Sequence, residues 1–330
     1  MAWIERHWQA VTPVSALLYP VSLLYGAVAS SRRNGAAPVS LPVPVIVIGN
    51  VTVGGTGKTP LTLWLAAELS ERGFNPGIIC SGYGGSQRAP QAVTPESDPA
   101  KCGDEAVLLA RRSNRPVWAG ADRVAAAKGL LSSATCDVVL CDDGLQHHAL
   151  ARAVEICVVD GARGFGNGWL LPAGPLREPV SRVESVDAVV VNGDAAHASI
   201  SALPAGAPRY EMRLEGREFR NLLNPSLAAG AEHFRGKRVH AIAGIGDPGR
   251  FFRHLQEMGL DFTAHPFPDH HPFTASDLEF PDVEAVLMTE KDAVKCKHFA
   301  NENHWELPVD ATLDSALAER VTLKLKSARK

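Results

Sequence analysis

Residues 43–73 read VPVIVIGNVTVGGTGKTPLTLWLAAELSERG, and this stretch decides the fold of the 330-residue chain. The β-branched run at 43–50 predicts a buried parallel strand, because such strands are apolar on both faces. Apolar residues at helical spacing over 60–73 predict a helix that ends at a glycine. The loop between them is rich in glycine, which is typical of a phosphate-binding turn between a strand and a helix.

The chemistry of this loop follows from its residue types. Glycines let backbone N–H groups turn inward around phosphate oxygens, and the following helix adds its N-terminal dipole. Lys58 would reach the β- and γ-phosphates, and Thr59 would offer its hydroxyl to Mg²⁺. Thr52 stands where the strict pattern asks for glycine, and the rest of the pattern matches. The alternative is a glycine-rich turn that binds no phosphate. We predict a nucleotide site formed by Thr52, Val53, Gly54, Gly55, Thr56, Gly57, Lys58 and Thr59.

A second element supports this interpretation. The segment CDVVLCDDG at 136–144 is an apolar run that ends in Asp142 and Asp143. A carboxylate at the end of such a strand holds the Mg²⁺ shell in P-loop enzymes, although two adjacent acids alone also suit a solvated strand end. Gln146 follows three residues later, where it could position phosphate or metal-bound water, or be an ordinary polar surface residue. Asp142, Asp143 and Gln146 are therefore predicted, with Thr59, to lie around a magnesium ion.

The rest of the chain alternates strand-like and helix-like segments. This alternation predicts an α/β fold: a P-loop NTPase-type parallel sheet flanked by helices, with a smaller C-terminal α/β subdomain. The segment 208–225 alternates apolar and polar residues around a Glu–Gly turn, which predicts an antiparallel hairpin. The predicted division is a membrane-associating N-terminal helix at 1–34, a core that contains the P-loop at 35–205, a hairpin connector at 206–224 and the C-terminal subdomain at 225–330.

The amino terminus raises the question of a membrane. No charged residue lies between Trp8 and Ser31, and Arg32 and Arg33 follow at once. Three interpretations are open: a helix lying in or shallowly inserted into the membrane interface, a single membrane span, or a core helix of a soluble body. If the segment spans the bilayer, the two arginines put the body on the cytoplasmic side.

Composition and charge give no positive sign of nucleic-acid, disulfide or zinc chemistry. The chain has 33 Lys plus Arg against 36 Asp plus Glu, so its net charge of −3 provides no field that would collect nucleic acid. Six cysteines without CxxC spacing predict reduced core thiols rather than a disulfide framework. No HExxH or Cys/His pattern indicates zinc.

The ordered motifs identify a family. GGTGKT also occurs in ParA/MinD-type ATPases, but their signature lysine is replaced here by Val53. Taken together, the chain resembles the tetraacyldisaccharide 4′-kinases, the lipid A 4′-kinases of Gram-negative bacteria. The family usually has Ser-Arg before GYGG, where this chain has Cys80 and Ser81. The matching stretches are GNVTVGGTGKTP (49–60), GYGG (82–85), GDEAVLLARR (103–112), DR (122–123), CDDGLQHH (141–148), LPAGPLREP (171–179), AGIGDPGRFF (243–252), FPDHHPF (267–273) and MTEKDAVKC (288–296).

The resemblance implies a reaction and a location. An enzyme of this family moves the γ-phosphoryl group of ATP, with Mg²⁺, to the 4′-hydroxyl of tetraacyldisaccharide 1-phosphate and so makes lipid IVA. The expected partners are the lipid disaccharide and a membrane surface, with no nucleic acid and no obligate protein partner. The expected location is the cytoplasmic face of the inner membrane, held peripherally or by one helix. The competing hypothesis is a membrane-associated P-loop ATPase switch without a small-molecule acceptor.

The resemblance also implies residue roles. It makes Asp104 the general base and pairs it with His270 of the second domain; the plain alternatives are a helix cap and a loop histidine. Glu105 would support Mg²⁺ or its water shell. Arg123 would clamp the γ-phosphate or the 1-phosphate of the lipid, or else form an ordinary salt bridge.

The TEKD segment at 289–292 has some likeness to the base-reading loops of GTPases, although the spacing differs. It therefore makes Lys291 and Asp292 candidates for contact with the nucleotide.

Overall fold

A computed structural model describes residues 3–201, 203 and 206–328 of the chain. The two sheets that organise these residues confirm the predicted fold class. The larger sheet has nine strands in the order β15-β8-β7-β6-β1-β5-β2-β4-β3. Its strands are β1 (Val45–Gly49), β2 (Pro76–Cys80), β3 (Gln91–Val93), β4 (Val117–Ala119), β5 (Val138–Asp142), β6 (Val154–Asp160), β7 (Ala188–Asn192), β8 (Arg209–Glu215) and β15 (Asp310–Leu313).

The second sheet is smaller and has six strands, in the order β10-β9-β14-β13-β11-β12. Its central strands β11, β13 and β14 pair in parallel, and β9 and β10 add an antiparallel edge. Its strands are β9 (Phe219–Asn221), β10 (Ala228–Ala229), β11 (Val239–Ala243), β12 (Thr263–Pro266), β13 (Ala285–Thr289) and β14 (His304–Leu307).

Helices cover both sheets and complete the cores. The apolar strand residues of β1, β2, β5, β6 and β7 are fully or almost fully buried beneath them. All six cysteines are free and buried, as their spacing predicted. The α-helices are α1 (Pro13–Asn34), α2 (Lys58–Glu71), α3 (Pro99–Cys102), α4 (Asp104–Ser113), α5 (Arg123–Ser133), α6 (Ala198–Ser201), α7 (Pro248–Glu257), α8 (Glu290–Cys296) and α9 (Ala316–Ala328).

The position of β1 in the sheet explains where a site can form. β1 lies between β5 and β6 and pairs in parallel with both. The carboxyl ends of parallel strands meet at one edge, where open α/β sheets bind their ligands. The loop after β1 and the acids at the end of β5 therefore share that edge.

The predicted hairpin at 208–225 is wrong. β8 pairs in parallel with β7 and antiparallel with β15, whereas β9 pairs with β10 and β14 of the other sheet. Both halves of the segment are strands, but an alternation of apolar and polar residues indicates only that one face of a strand is buried. It does not identify the strand with which that strand pairs.

Two connections join the sheets, because the chain leaves the larger sheet after β8 and returns to it for β15. They lie side by side, since Glu215 is the register partner of Asp310. Gly216 sits so close to the other connection that a Cβ there would lie 2.8 Å from the Pro308 carbonyl oxygen. The predicted domain boundaries stay a prediction. Residues 1–2, 205 and 329–330, where predicted domains begin or end, lie outside the described residues.

Helix α1 turns its small residues inward. Ser15 and Ser22 are its buried residues. Ser22 donates to the Leu170 carbonyl oxygen at 2.8 Å and accepts from the Ala173 N–H at 3.0 Å. Gly26 continues this face one turn later, where a Cβ would lie 2.7 Å from Leu170. Close packing on the 169–173 loop therefore depends on small side chains.

The opposite face of α1 is apolar and exposed. Leu17 is 80% exposed and Leu24 is 70% exposed, and Val21 and Val28 lie on the same side. The helix is long and apolar enough to cross a membrane, and little of it is buried. A core helix would bury these side chains, so the core-helix interpretation does not fit. An exposed apolar face of this kind fits a membrane-associated protein.

Candidate active site

The loop after β1 has the backbone of a phosphate site. Gly54 and Gly57 have φ angles of 96° and 95°, a region that favours glycine. A Cβ on Gly57 would also lie 2.6 Å from the Asn192 side chain, so no larger residue fits there. Helix α2 starts at Lys58 without a side-chain cap. Its first N–H groups are therefore free to face an anion.

The side chains of α2 connect this loop to β5. The Lys58 ammonium lies 3.4 Å from Asn50 Oδ1 and 3.7 Å from Asp143 Oδ1. The Thr59 hydroxyl donates to Asp142 at 2.9 Å, and the Thr62 hydroxyl donates to its other oxygen at 3.0 Å. We call Lys58, Thr59, Asp142 and Asp143 the phosphate half of the site. All four are predicted site residues, and the fold brings them together.

The two aspartates of the phosphate half have different electrostatics. Burial, reinforced by the charge of Glu105, raises the pKa of Asp142 to about 6. Burial alone would also raise the pKa of Asp143, but the charges of Lys58 and Arg177 hold it well below its usual range. Asp143 therefore stays ionised, whereas the charge of Lys58 offsets only part of the effect of burial on Asp142.

Two other predicted residues lie at the margin of the phosphate half. Arg123 is almost fully buried and donates to the Gly120 carbonyl oxygen at 2.7 Å and to the Asp143 carbonyl oxygen at 3.4 Å. Gln146 donates to the Asn50 carbonyl oxygen at 3.0 Å and to Glu178 at 2.7 Å. Both side chains brace the loop or the acids in this structure.

The structure adds two arginines beside the loop. The Arg177 guanidinium reaches Asp143 at 3.0 Å and also bonds to Asn50. Arg177 belongs to the matched LPAGPLREP stretch at 171–179. The guanidinium of Arg163 donates to Asp160 at 3.2 Å and to the Gly55 carbonyl oxygen. Sequence reasoning missed Arg163, and the only available signal was its position just after the acidic end of β6.

A second cluster joins the two sheets. Asp104, at the start of α4, is 4% exposed, and its Oδ2 lies 3.0 Å from His270 Nδ1. The Lys291 ammonium lies 3.1 Å from Glu105 Oε1 and 3.3 Å from His270 Nε2. We call Asp104, Glu105, His270 and Lys291 the acceptor half of the site. The predicted Asp104–His270 pair is present in the structure.

The charges of the acceptor half support one another. Burial alone would raise the pKa of Asp104, but the hydrogen bond from His270 and the charge of Lys291 lower it below its usual value. The same hydrogen bond raises the pKa of His270. Burial would lower the pKa of Lys291, yet Glu105, Asp104 and Asp269 raise it. At neutral pH the cluster therefore contains an ionised carboxylate held by cationic neighbours.

The backbone at His270 is unusual. Its φ angle is 58°, in the left-handed region where a non-glycine residue is uncommon. The exposed Tyr83 ring of the GYGG loop packs edge-on against its imidazole, with centroids 4.9 Å apart. Strain of this kind persists where surrounding contacts fix the residue, and it is frequent at functional sites.

Asp292 lies behind the acceptor half rather than at its surface. It is fully buried, and its carboxylate accepts from the Thr289 hydroxyl at 2.6 Å and from the Gly244 N–H at 3.0 Å. A carboxylate without exposed surface does not meet a nucleotide directly. Of the TEKD pair, Lys291 faces the site and Asp292 supports the structure behind it.

Comparison with known proteins agrees with this geometry. A family model described as tetraacyldisaccharide-1-P 4′-kinase matches residues 14–326. A tetraacyldisaccharide 4′-kinase of Azoarcus sp. is 50% identical over 100% of this chain and 97% of its own length. The one of Aromatoleum aromaticum is 50% identical over 98% of this chain and 97% of its own. A crystal structure described as the "apo" form of LpxK from Aquifex aeolicus in complex with ATP is 27% identical, with a TM-score of 0.79, and the match covers 94% of this chain and 99% of that one.

Proposed function

The chain belongs to the tetraacyldisaccharide-1-P 4′-kinase family, and on this premise we propose its substrates and its mechanism. It transfers the γ-phosphoryl group of ATP to the 4′-hydroxyl of tetraacyldisaccharide 1-phosphate, and the product is lipid IVA. The observation that supports this most is the Asp104–His270 pair beside the phosphate loop. The charge of Glu105, next to Asp104, acts on Asp142, so the two halves share one electrostatic site.

The phosphate half holds the nucleotide. Backbone N–H groups over residues 52–57 and the start of α2 surround the phosphates, and Lys58 neutralises charge on the β- and γ-phosphates. Arg123 and Lys291 add positive charge at the edges of the site. Phosphoryl transfer depends mainly on such positioning and charge neutralisation, because its transition state is loose.

The residues of the phosphate half fit a magnesium ion. Asp142 is buried, and burial together with the nearby charge of Glu105 raises its pKa, so the site favours a further positive charge beside it. Within residues 3–201, 203 and 206–328, no group of three or more His, Cys, Asp or Glu is arranged to hold a metal. Mg²⁺ commonly takes one or two carboxylates and completes its shell with phosphates and water. Thr59, Asp142 and Asp143 would hold it, with Glu105 and Gln146 near its water shell, and it would supply charge neutralisation.

The acceptor half prepares the sugar hydroxyl. The 4′-oxygen forms a bond to the γ-phosphorus as the bond from phosphorus to the bridging oxygen breaks, and ADP leaves. The hydroxyl proton passes to the carboxylate of Asp104, which is ionised. His270 holds that carboxylate in one orientation through the hydrogen bond at its Nδ1.

Helix α1 brings the enzyme to its lipid. We infer that its exposed apolar face lies in the cytoplasmic side of the inner membrane, so that the acyl chains of the substrate stay in the bilayer. The double substitution Leu17→Glu/Leu24→Glu is expected to release the protein from phospholipid vesicles in a flotation assay. The matched control, Leu227→Glu/Leu323→Glu, changes exposed leucines elsewhere and should leave flotation unchanged. Equal flotation of both double variants would overturn the role of α1.

The deciding test of function is transfer of labelled phosphate. Wild-type protein receives [γ-³²P]ATP and tetraacyldisaccharide 1-phosphate in detergent micelles, and the lipid is separated by chromatography. We expect label in the lipid, and none when the acceptor lacks its 4′-hydroxyl. The competing ATPase-switch hypothesis predicts hydrolysis without lipid labelling. That result, from folded protein that binds ATP, would overturn the kinase assignment to this substrate.

A further inference from the structure

A buried lysine lies behind the acceptor half. The side chain of Lys295, on α8, is only 10% exposed. Its ammonium lies 2.8 Å from Asp292 Oδ1 and 3.9 Å from Asp104 Oδ2. It also lies 4.9 Å from the centre of the Phe273 ring. One cation therefore sits between two buried carboxylates that belong to different structural units.

Asp292 fixes this lysine from one side. The Asp292 carboxylate is anchored by the Thr289 hydroxyl and by the backbone N–H of Gly244, so it has little freedom to move. A buried carboxylate held in this way needs a positive partner, and Lys295 is three residues further along the same helix. The lysine thus has a defined position before it meets Asp104.

The same backbone segment also fixes His270. The Gly244 carbonyl oxygen accepts the His270 backbone N–H at 3.2 Å, and the Gly244 N–H donates to Asp292. The contacts form a closed ring that runs from Asp104 to His270, Gly244, Asp292, Lys295 and back to Asp104. A Cβ at Gly244 would lie 3.1 Å from Phe273 and 3.2 Å from Asp292, so a larger residue there would press on two side chains beside the ring.

We propose that Lys295 is a positioning residue for Asp104 in the transfer reaction. This inference rests on the proposed function. Asp292 and the surrounding ring hold Lys295, and the lysine charge holds the Asp104 carboxylate toward His270 and away from other orientations. Lys295 touches neither the hydroxyl nor the nucleotide. Because catalysis depends steeply on orientation, loss of this charge should slow transfer without weakening nucleotide binding.

The first experiment measures steady-state lipid phosphorylation by Lys295→Met. We expect kcat to fall about tenfold or more, as when a residue that orients a site residue is lost in other enzymes. The KM for ATP should stay within about twofold of wild type. Lys297→Met is the matched control, because Lys297 is exposed two residues further on, and its kcat should not change. A fall in Lys295→Met that appears as higher KM with unchanged kcat would overturn the proposal.

The single variant leaves Asp292 buried without its cation and so risks misfolding. The double variant Lys295→Met/Asp292→Asn removes both charges together, and its asparagine can still accept from Gly244. Circular dichroism and binding of a non-hydrolysable ATP analogue check the fold of each variant. We expect the double variant to fold and to show the same loss of kcat. Wild-type kcat in the folded double variant would overturn the proposal.

A double-mutant cycle separates positioning from a merely structural role. If Lys295 acts through Asp104, adding Lys295→Met to Asp104→Asn should cause little further loss. If the fall in kcat of the double variant equals the product of the two single falls, Lys295 does not act through Asp104 and the proposal is overturned. A wild type that phosphorylates no lipid would overturn the proposed function itself. If Asp104→Asn lowered kcat while Lys295→Met kept the wild-type kcat, this inference alone would be overturned and the proposed function would stand.

Discussion

The two halves of the site are built in different ways. The phosphate half is built at the edge of the larger sheet by two short segments: the loop between β1 and α2, and the end of β5. Local backbone geometry positions the residues of each segment. The acceptor half joins Asp104, at the start of α4, to His270, in the loop after β12 of the smaller sheet, 166 residues further along the chain. The phosphate half therefore depends on a loop and a helix start, whereas the acceptor half depends on how two units meet. This difference predicts which changes remove binding and which remove only catalysis.

The largest effect is expected in the phosphate half. Lys58→Ala should lower kcat for lipid phosphorylation about 10³-fold, because it removes a charge aimed at the transferring group. It should also weaken ATP binding, which isothermal calorimetry with a non-hydrolysable analogue can measure. Lys128→Ala changes an exposed lysine and serves as the control. More than a tenth of wild-type activity in Lys58→Ala would contradict this assignment.

A smaller effect on rate, and none on nucleotide binding, is expected from Asp104→Asn. Loss of a general base costs about 10²- to 10⁴-fold, so kcat should fall by at least the lower figure. The affinity for the ATP analogue should stay within about twofold, since the phosphate half is intact. Exposed Asp261→Asn is the control. If Asp104→Asn lost nucleotide binding as severely as rate, the two halves would not be separable.

The contact between the sheets is probed by His270→Asn, since asparagine tolerates the left-handed backbone at this position. We expect kcat to fall about tenfold, less than for loss of the base itself. The hydrogen bond from His270 lowers the pKa of Asp104, so its loss should raise that pKa. The acid limb of the pH profile of kcat/KM should therefore move to higher pH. An unmoved acid limb would show that His270 does not act on Asp104.

The smallest effect concerns the stability of the junction behind the site. Burial, with the charge of Glu290, raises the pKa of Glu306 on β14 to about 7. The unfolded chain has a Glu pKa near 4.3, so the folded state binds this proton more tightly. The resulting stabilisation is present at low pH and is lost as pH rises from about 4.5 through 7.

The corresponding substitution is Glu306→Gln, which removes the charge that costs stability above neutral pH. It should raise the melting temperature by a few degrees at pH 8 and change it little at pH 4.5. Glu302→Gln, at an exposed position nearby, should show no pH-dependent difference. Equal shifts at both pH values would mean that Glu306 does not titrate with folding.

The same contrast explains what the sequence could reveal. The phosphate half was predictable from residues alone, because a strand, a glycine loop and a helix follow one another, and an apolar strand ends in acids. The Asp104–His270 pair was named only through family resemblance. Nothing in local patterning links residue 104 to residue 270, since that contact forms only when the two sheets meet.

Other features were missed for physical reasons. The hairpin at 208–225 failed because alternation does not identify the partner of a strand. Short strands such as β12 and β14 have too few residues for a period to emerge. One sign of the buried Lys295 is present in the sequence: its neighbours in AVKC at 293–296 are apolar. A lysine on a solvated helix face usually has polar neighbours. The Lys295 partners Asp292 and Asp104 became evident only in three dimensions.

The paired connections between the sheets have a mechanical consequence. Two adjacent connections join the smaller sheet to the larger one, with Gly216 seated against Pro308, and α4 packs against α8 beside them. Any widening of the gap between Asp104 and His270 must therefore bend both connections at once. After a single proteolytic cut in either connection, the other connection would still join the two sheets.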